Sequence, residues 1–299
     1  MKRKIHKIYD IILKIIMAAY AYEFLKLIGE ERQIKKVLKT EFVTKKGRNL
    51  YLDFLCMLED DTLLNIEFQF KPTTSNDLNR FFNYNILSQT TYDSLCETVV
   101  VSFRTQKLGV KQIKIGKTKS THPDFKYLGD INFKKTLNNI RNKIKNNSIL
   151  DNIDEILLML MCLVPKNHNK AEILTEICRM LKKEHLFDLE KIDTFKAVMS
   201  LEIENLITRE EREKLKGKIQ MTPEAQEIMS KAIGEVGRKY EYLEKQDLIN
   251  KGKKEGIKEG KKEGKKEASE SIAKNLKNIL PDEEISKHTG LDLKTIRQL

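Results

Sequence analysis

The chain has 299 residues, 40% of them hydrophobic and 33% charged, which allows one large domain or two small ones around a sizeable core. Lys and Arg number 56 against 44 acidic residues, and the formal net charge of +12 favours polyanions such as DNA, RNA or an anionic membrane, or else serves only solvation. The four cysteines form no C-x-x-C pair and have no histidine at metal-ligand spacing, which excludes a zinc or disulfide framework and indicates free thiols in a reducing compartment.

The N-terminal segment is basic and then apolar as far as Ile28, a pattern that can mimic a secretory signal peptide. Asp10, Lys14 and Glu23 interrupt the apolar run. A membrane-spanning helix needs about 20 apolar residues, which this segment lacks. Its apolar positions recur at threes and fours, which predicts an amphipathic core helix over residues 5–29 and a cytoplasmic protein without membrane contact.

Residues 36–70 change from the helical pattern to alternating apolar and polar positions. Gly47 and the acidic cluster at residues 59–61 interrupt the alternation and indicate turns. The pattern predicts three strands, over residues 37–44, 49–58 and 62–71.

After these strands, Ser75 fits the N-cap of a helix over residues 76–91, and residues 98–103 form a short buried strand. Residues 104–130 are irregular and basic, and the pattern that follows them is helical. The order of elements predicts an α/β fold with an αβββαβ core and a mostly α-helical C-terminal half. The predicted divisions are a core over 1–130, a helical region over 131–248, a Lys/Glu/Gly-rich helix or linker over 249–268 and a terminal segment over 269–299.

The Lys/Glu/Gly tract has a glycine at every fourth position from Gly252 to Gly264. On a helix, this spacing places the glycines in one stripe that drifts slowly around the axis. Because each Gly costs a helix about 1 kcal/mol relative to Ala, the tract is either a loose linker or a helix that packs closely against a partner. A second copy of the chain is the partner that we expect in the latter case.

The third predicted strand carries apolar residues on one face and polar residues, Glu67 among them, on the other. A three-residue loop at 59–61 pairs Leu58 with Thr62, and the same register places Asp53 directly opposite Glu67. Directly opposed side chains have Cβ atoms about 5 Å apart, so the two carboxylates repel each other unless a cation compensates. Carboxylate oxygens bind Mg²⁺ at about 2.1 Å. The alternative is that both acids are solvated on an exposed face of the sheet.

Residues 51–55 (Tyr-Leu-Asp-Phe-Leu), a short acidic turn and residues 65–69 (Asn-Ile-Glu-Phe-Gln) resemble the core of the PD-(D/E)XK nuclease family transposases, also called recombination-promoting (Rpn-type) nucleases. That group typically has an Asp followed at a distance by Asn-Ile-Glu-x-Gln. Residues 80–84 (Arg-Phe-Phe-Asn-Tyr) resemble its Arg/Tyr helix. The Lys/Glu/Gly tract and the Thr-Gly-Leu at 289–291 are typical of its tails.

The resemblance implies a restriction-endonuclease-like core in which Asp53, Glu67 and the backbone carbonyl of Phe68 hold Mg²⁺, with Mn²⁺ as a substitute. Gln69 takes the place of the superfamily's catalytic Lys, a departure that is common in this subgroup. A Gln side chain carries no charge and orients water or a phosphate oxygen only by hydrogen bonds. Lys71, on the same predicted face, is a candidate source of positive charge toward DNA.

The family's additional acid on the first helix is not evident in this sequence, and Glu23 and Glu41 are both candidates. Arg80 and Tyr84 are i, i+4 neighbours on the predicted second helix, where they contact the DNA backbone or else cap the core. The chemistry implied is phosphodiester hydrolysis with a metal-activated water.

The terminal segment has helix-turn-helix spacing, with Ile285, Gly290 and Ile296 at the positions that join the two helices. Lys294 and Arg297 are the candidate DNA contacts on the second of these helices. The alternative is a small protein-interaction hairpin.

The leading hypothesis is a Mg²⁺-dependent DNA endonuclease linked to transposition or recombination. The alternatives are a catalytically inactive nuclease fold that binds DNA, and a protein-interaction scaffold built from the helical region and the glycine-striped helix. Metal-dependent nicking of plasmid DNA separates the first hypothesis from the other two.

Overall fold

The computed structural model describes residues 2–44, 49–105, 109–115, 119–121, 123–164 and 169–299. The chain forms two compact units, Met1–Lys239 and Tyr240–Leu299. The first unit combines a β-sheet with helices, and the second is helical. In the part of the chain that is described, no helix is both long and apolar enough to cross a lipid bilayer.

The sheet-forming part of the chain begins with a long helix, and a second helix separates its two groups of strands. In chain order its elements are α1 (Lys2–Leu27), β1 (Ile34–Val37), β2 (Glu41–Val43), β3 (Asn49–Tyr51), β4 (Phe54–Leu58), β5 (Leu63–Gln69), α2 (Ser75–Tyr92), β6 (Cys96–Ser102), β7 (Ile113–Ile115), β8 (Lys119–Thr121) and β9 (Asp124–Tyr127).

Within the described residues, the main sheet has five strands in the order β1-β4-β5-β6-β9. β1, β4 and β5 are antiparallel neighbours, whereas β6 and β9 run parallel to β5. Parallel neighbours need a crossover connection, and α2 supplies it between β5 and β6. The strands β2 and β3 form a separate antiparallel ribbon, as do β7 and β8. β5 is the central strand, and its residues 63–68 are all buried.

The hairpin between β4 and β5 has the predicted loop and register. The Leu58 N–H donates to the Thr62 carbonyl at 2.9 Å, across a loop in which Asp61 has a φ of +64°. The ladder continues in the same register toward the far end of both strands. One step beyond its last pair, this register aligns Asp53 with Glu67, as the sequence predicts.

The other two predicted strands are each divided in the structure, which corrects the prediction. The strand predicted over residues 37–44 contains β2 and only the last residue of β1, which begins at Ile34, and the strand predicted over residues 49–58 is β3 and β4. The main sheet contains β1 and β4, whereas β2 pairs with β3 outside it. Apolar residues recur at every second position from Leu50 to Leu58, so the sequence pattern does not reveal the break between β3 and β4, whereas the break between β1 and β2 overlaps a polar run at residues 39–41.

Two further boundaries differ from prediction. Thr74, and not Ser75, is the N-cap of α2, since its hydroxyl accepts the Asp77 N–H at 3.3 Å and the Asp77 carboxylate accepts the Thr74 N–H at 2.9 Å. Such a reciprocal capping box satisfies two helix N–H groups together. Residues 104–130, predicted as irregular, contain β7, β8 and β9, whose three or four residues are too few to show a periodicity.

The C-terminal half is helical, as predicted. Its elements are α3 (Phe133–Lys145), α4 (Asn152–Leu160), α5 (Lys170–Met180), a 3-10 helix (Leu181–Leu186), α6 (Ile192–Leu206), α7 (Arg209–Leu215), α8 (Pro223–Leu276), α9 (Asp282–Thr289) and α10 (Leu293–Gln298). The Lys/Glu/Gly tract at 249–268 lies inside α8 and is helical.

α1 joins the sheet to the helical region. It packs against α4 and α6 and also contacts β5. The wholly buried Tyr20 donates its hydroxyl hydrogen bond to Glu155 Oε2 at 2.7 Å. Glu155 Oε1 accepts the Asp188 N–H, also at 2.7 Å. Burial raises the pKa of Glu155, and these two hydrogen bonds offset part of that cost.

Glu202 on α6 is a wholly buried carboxyl group, and among the described residues neither of its oxygens has a hydrogen-bond partner of normal geometry. Burial raises its pKa well above 4.5, and the nearby Lys170 and Cys162 offset only part of the rise. The folded state therefore binds the Glu202 proton more tightly than the unfolded state does. Its contribution to stability is present below pH 4.5 and is lost as pH rises through the raised pKa.

We therefore expect Glu202→Gln to raise the free energy of unfolding at pH 8, by about 1.4 kcal/mol for each unit by which the pKa of Glu202 is raised, because the amide cannot ionise. At pH 4 the substitution is expected to change stability little. Urea unfolding at both pH values measures the difference, and an equal effect at both pH values would contradict the charged state of Glu202 as its cause.

Candidate functional site

Asp53 lies at a β-bulge between β3 and β4. Val37 is opposite Cys56 and Glu41 is opposite Tyr51. The four residue steps from Val37 to Glu41 therefore pair with the five steps from Tyr51 to Cys56. The segment that contains Asp53 therefore has one extra residue. A bulge bends the strand and changes the direction of a side chain, and such bulges are frequent beside active sites. The Asp53 side chain is 19% exposed.

Asp53 and Glu67 are each hydrogen-bonded to the other's backbone segment. The Phe68 N–H donates to Asp53 Oδ2 at 3.0 Å, and the Asp53 N–H approaches Glu67 Oε1 at 3.4 Å. Glu67 is only 2% exposed, so the alternative in which both acids are solvated on an open face is wrong for Glu67. Burial, and secondly the charge of Asp53, raises the pKa of Glu67 well above 4.5.

The face of β5 that carries Glu67 is covered by α2. Tyr84 is buried in the core between α2 and the sheet, which favours the core-capping interpretation for this residue. Arg80 is on the surface, 3.3 Å from Asp77, and still interacts electrostatically with Glu67. Burial alone would lower the pKa of Arg80, but Glu67 in particular raises it. Arg80 therefore supplies positive charge to the acidic pair.

A small cavity of about 50 Å³ opens on the side of Asp53 that faces α1 and α8. It is large enough for a few water molecules. Phe68 contributes to its lining, together with Asp10 from α1 and Lys239 from α8. The Lys239 ammonium nitrogen lies 3.1 Å from Asp53 Oδ1 and 3.1 Å from Asp10 Oδ2. The side chain of Lys239 is 20% exposed. Burial would lower the pKa of Lys239, but the charges of Asp53 and Asp10 together raise it above its ordinary value.

The site therefore combines three carboxyl groups with two cationic side chains. Asp10 and Asp53 contact Lys239, Glu67 interacts with it electrostatically, and Arg80 adds its charge from α2. With every group ionised, the acids exceed the cations by one. Burial favours the neutral form of Glu67, so the charges of the site are close to balanced while Lys239 pairs with Asp53 and Asp10.

Two other predicted site residues of the core, Gln69 and Lys71, lie outside the cavity. Gln69 is half-buried at the end of β5, and its carbonyl accepts the Phe103 N–H at 2.9 Å. Lys71 is exposed just beyond the strand. Neither belongs to the described residues that line the cavity.

The two candidates for an additional acid lie elsewhere. Glu23 accepts hydrogen bonds from Lys191 and Asn152, both at 2.8 Å, at the junction of α1 with the helical region. Glu41 is exposed on β2 and accepts a hydrogen bond from Asn49. The acid that α1 places at the cavity is Asp10. In the sequence, Asp10 is notable only as a charge that interrupts the apolar run. No sequence pattern distinguishes Lys239 from the other lysines of its helix.

The donor set suits Mg²⁺ better than a cation that needs many protein ligands. Among the described residues there is no group of three or more His, Cys, Asp or Glu side chains that could hold a metal ion. Mg²⁺ keeps several of its waters and is held by as few as one or two carboxylates. Asp53 and Glu67 would supply two carboxylates, but Lys239 already pairs with Asp53.

The second unit contains a separate small core. The side chains of Ala273, Ile285 and Ile296 are almost wholly buried and join the end of α8 to α9 and α10. Gly290 has a φ of +71° and ends α9, as the predicted turn requires. α10 has only six residues, and its exposed side chains include Lys294 and Arg297. The Arg297 guanidinium lies 3.6 Å from Asp282.

If α10 contacts DNA, we expect changing Lys294 and Arg297 together to Ala to weaken binding of duplex DNA. Each lost phosphate contact makes the slope of log affinity against log salt shallower by about 0.9. The matched control is the double change of Lys277 and Lys287 to Ala, which removes the same charge from outside α10. Equal salt slopes for both double variants would favour the protein-interaction hairpin.

Comparisons with family models, curated proteins and solved structures found no match to the chain. The relation to the Rpn-type nucleases therefore stays a prediction, and the function must be inferred from the chemistry of the site itself.

Proposed function

We propose that the chain is a Mg²⁺-dependent DNA endonuclease that hydrolyses phosphodiester bonds at Asp53 and Glu67. The proposal is supported chiefly by the placement of these two carboxyl groups at aligned positions, with Glu67 buried and its pKa raised. A buried carboxyl group whose pKa is raised by burial and by a neighbouring carboxylate is typical of functional sites.

In this proposal, Asp53 and Glu67 hold the cation together with the Phe68 carbonyl, and Mn²⁺ can replace Mg²⁺. When bound, the cation polarises the phosphate and lowers the pKa of water. The water oxygen bonds to phosphorus, one phosphate ester bond breaks, and the departing sugar oxygen takes up a proton. The Phe68 N–H fixes Asp53 Oδ2, which leaves Oδ1 directed at the cavity and Lys239.

The other polar side chains then have supporting roles. Gln69 orients water or a phosphate oxygen by hydrogen bonds, since it carries no charge. Lys71 and Arg80 supply positive charge toward the DNA backbone. The restriction-endonuclease-like relation of the core, and a link to transposition or recombination, are parts of the same proposal that rest on the resemblance of residues 51–69.

The partner of the glycine-striped segment is a further part of this proposal. The four glycines from Gly252 to Gly264 have no neighbouring atoms near their Cβ positions in the described structure, and the surrounding residues are exposed. Because such a helix is weak alone, packing against a second copy of the chain would stabilise it.

A second candidate function is DNA binding without cleavage. The contact that favours it is Lys239 with Asp53, because an ammonium group already compensates the charge of a carboxylate that the cation needs. A protein of this kind would bind DNA in a salt-dependent way and leave it intact.

Nicking of supercoiled plasmid by the purified chain tests the proposal. Relaxed and linear DNA should accumulate with Mg²⁺ or Mn²⁺ and not with EDTA. Salt-dependent binding without cleavage would support the second candidate and contradict the nuclease.

A further inference from the structure

Lys239 enters the acidic site from a distant part of the chain. It lies 186 positions from Asp53 in the sequence and belongs to α8, whereas Asp53 belongs to the bulge beside the main sheet. Its ammonium group contacts Asp53 and Asp10 inside the cavity.

The packing of α8 on α1 does not depend on this contact alone. Lys14 of α1 pairs with Glu235 of α8 at 2.9 Å, and Val236, one turn before Lys239, is 4% exposed. Lys239 extends past this helix contact to reach a carboxylate of the sheet. Placing an ammonium group where its side chain is only 20% exposed is costly, so a purely structural role would be served better by an apolar side chain.

We propose that Lys239 is a residue of the phosphodiesterase site itself, and that its ammonium group binds a phosphate oxygen of the nucleic acid. This inference rests on the proposed function. An ammonium group has three N–H donors, of which Asp53 and Asp10 take two, and a phosphate oxygen is a suitable acceptor for the third.

Asp10 is a positioning residue in this proposal. When a divalent cation takes Asp53, the ammonium loses one of its two carboxylate partners. Asp10 retains it at the cavity, so the positive charge stays beside the phosphate. Lys239 thus supplies the fixed cationic group that Gln69 cannot provide.

The same geometry predicts competition between Lys239 and the metal, because both are cations that need Asp53. Removing the ammonium group should lower the nicking rate and at the same time strengthen metal binding. A merely structural lysine would not show this combination, since its loss would weaken the site as a whole.

The experiment compares the wild type with Lys239→Gln and with the control Lys191→Gln. Lys191 is a suitable control because it also pairs with an acid of α1, Glu23, and its side chain is 22% exposed. Plasmid nicking gives the activity, calorimetric titration with Mn²⁺ gives the metal affinity, and thermal unfolding confirms the folded state. We expect Lys239→Gln to nick about 100-fold more slowly, the effect of removing one group that stabilises the transition state, and to bind Mn²⁺ more tightly than the wild type.

Lys191→Gln should match the wild type in both assays. If Lys239→Gln does not fold, the double change of Lys239 to Gln and Asp10 to Asn removes the cation and one of its acids together, and the same two results are expected of it. Nicking at the wild-type rate, or weaker Mn²⁺ binding, by a folded variant overturns the role of Lys239 while the nuclease proposal stands. Absence of metal-dependent nicking in the wild type overturns both.

Discussion

Changing Asp53 to Ala or Glu67 to Gln is expected to lower Mg²⁺-dependent plasmid nicking by about 10²–10³-fold, the size of effect seen when one electrostatic partner of a transition state is removed. In the proposed mechanism both residues are needed, because each would contribute a carboxylate to the same cation. The measurement is the initial nicking rate with Mg²⁺ at pH 8, for each variant beside the wild type.

A second buried carboxyl group, that of Glu202, provides the control for Glu67. Glu67 and Glu202 are each almost wholly inaccessible to solvent, and burial raises the pKa of both. Replacing either by Gln removes a buried group that can ionise, so both variants should be at least as stable as the wild type at pH 8 without metal. Only Glu67→Gln should lose nicking activity. Loss of activity in both variants, or in neither, would contradict the assignment of the site to Glu67.

Changing Phe103 to Ala is expected to lower the free energy of unfolding by about 3–5 kcal/mol, as for other large buried aromatic residues. Phe103 is wholly buried directly after β6, and its ring stacks on Phe70 with centroids 4.2 Å apart. Phe70 in turn contacts Tyr9 of α1, with ring centroids 4.5 Å apart. Phe103 therefore belongs to the aromatic layer that fixes α1 to the sheet.

Urea unfolding followed by circular dichroism measures this cost. The control is Phe82→Ala on α2, where the ring is only partly buried, and its expected cost is about 1 kcal/mol. If the two variants lose equal stability, the aromatic layer does not hold α1 in place as the packing indicates.

Local patterns in the sequence determine much of the fold. The helical spacing of α1, the three-residue loop after β4 and the alternation along β5 are each set by residues close together in the chain. The loop length fixes the register, and a slip of one residue would turn a side chain to the other face of the sheet. The alignment of Asp53 with Glu67 is therefore readable from the sequence, as is the helical character of the C-terminal half.

The surroundings of the two acids were decided by tertiary structure. The polar residues of β5 look like an exposed face in the sequence, but α2 crosses over that face and buries Glu67. The bulge at Asp53 is invisible in the alternation, because an extra residue is recognised only against the partner strand.

The cationic side of the site depends on tertiary structure most of all. Asp10 is one of several charges in α1, and Lys239 is one of many lysines in a long charged helix, so neither has a local signal of its own. Their contact with Asp53 exists because α1 and α8 pack beside the bulge. An interaction between residues 186 positions apart follows from the assembled core and not from spacing along the chain.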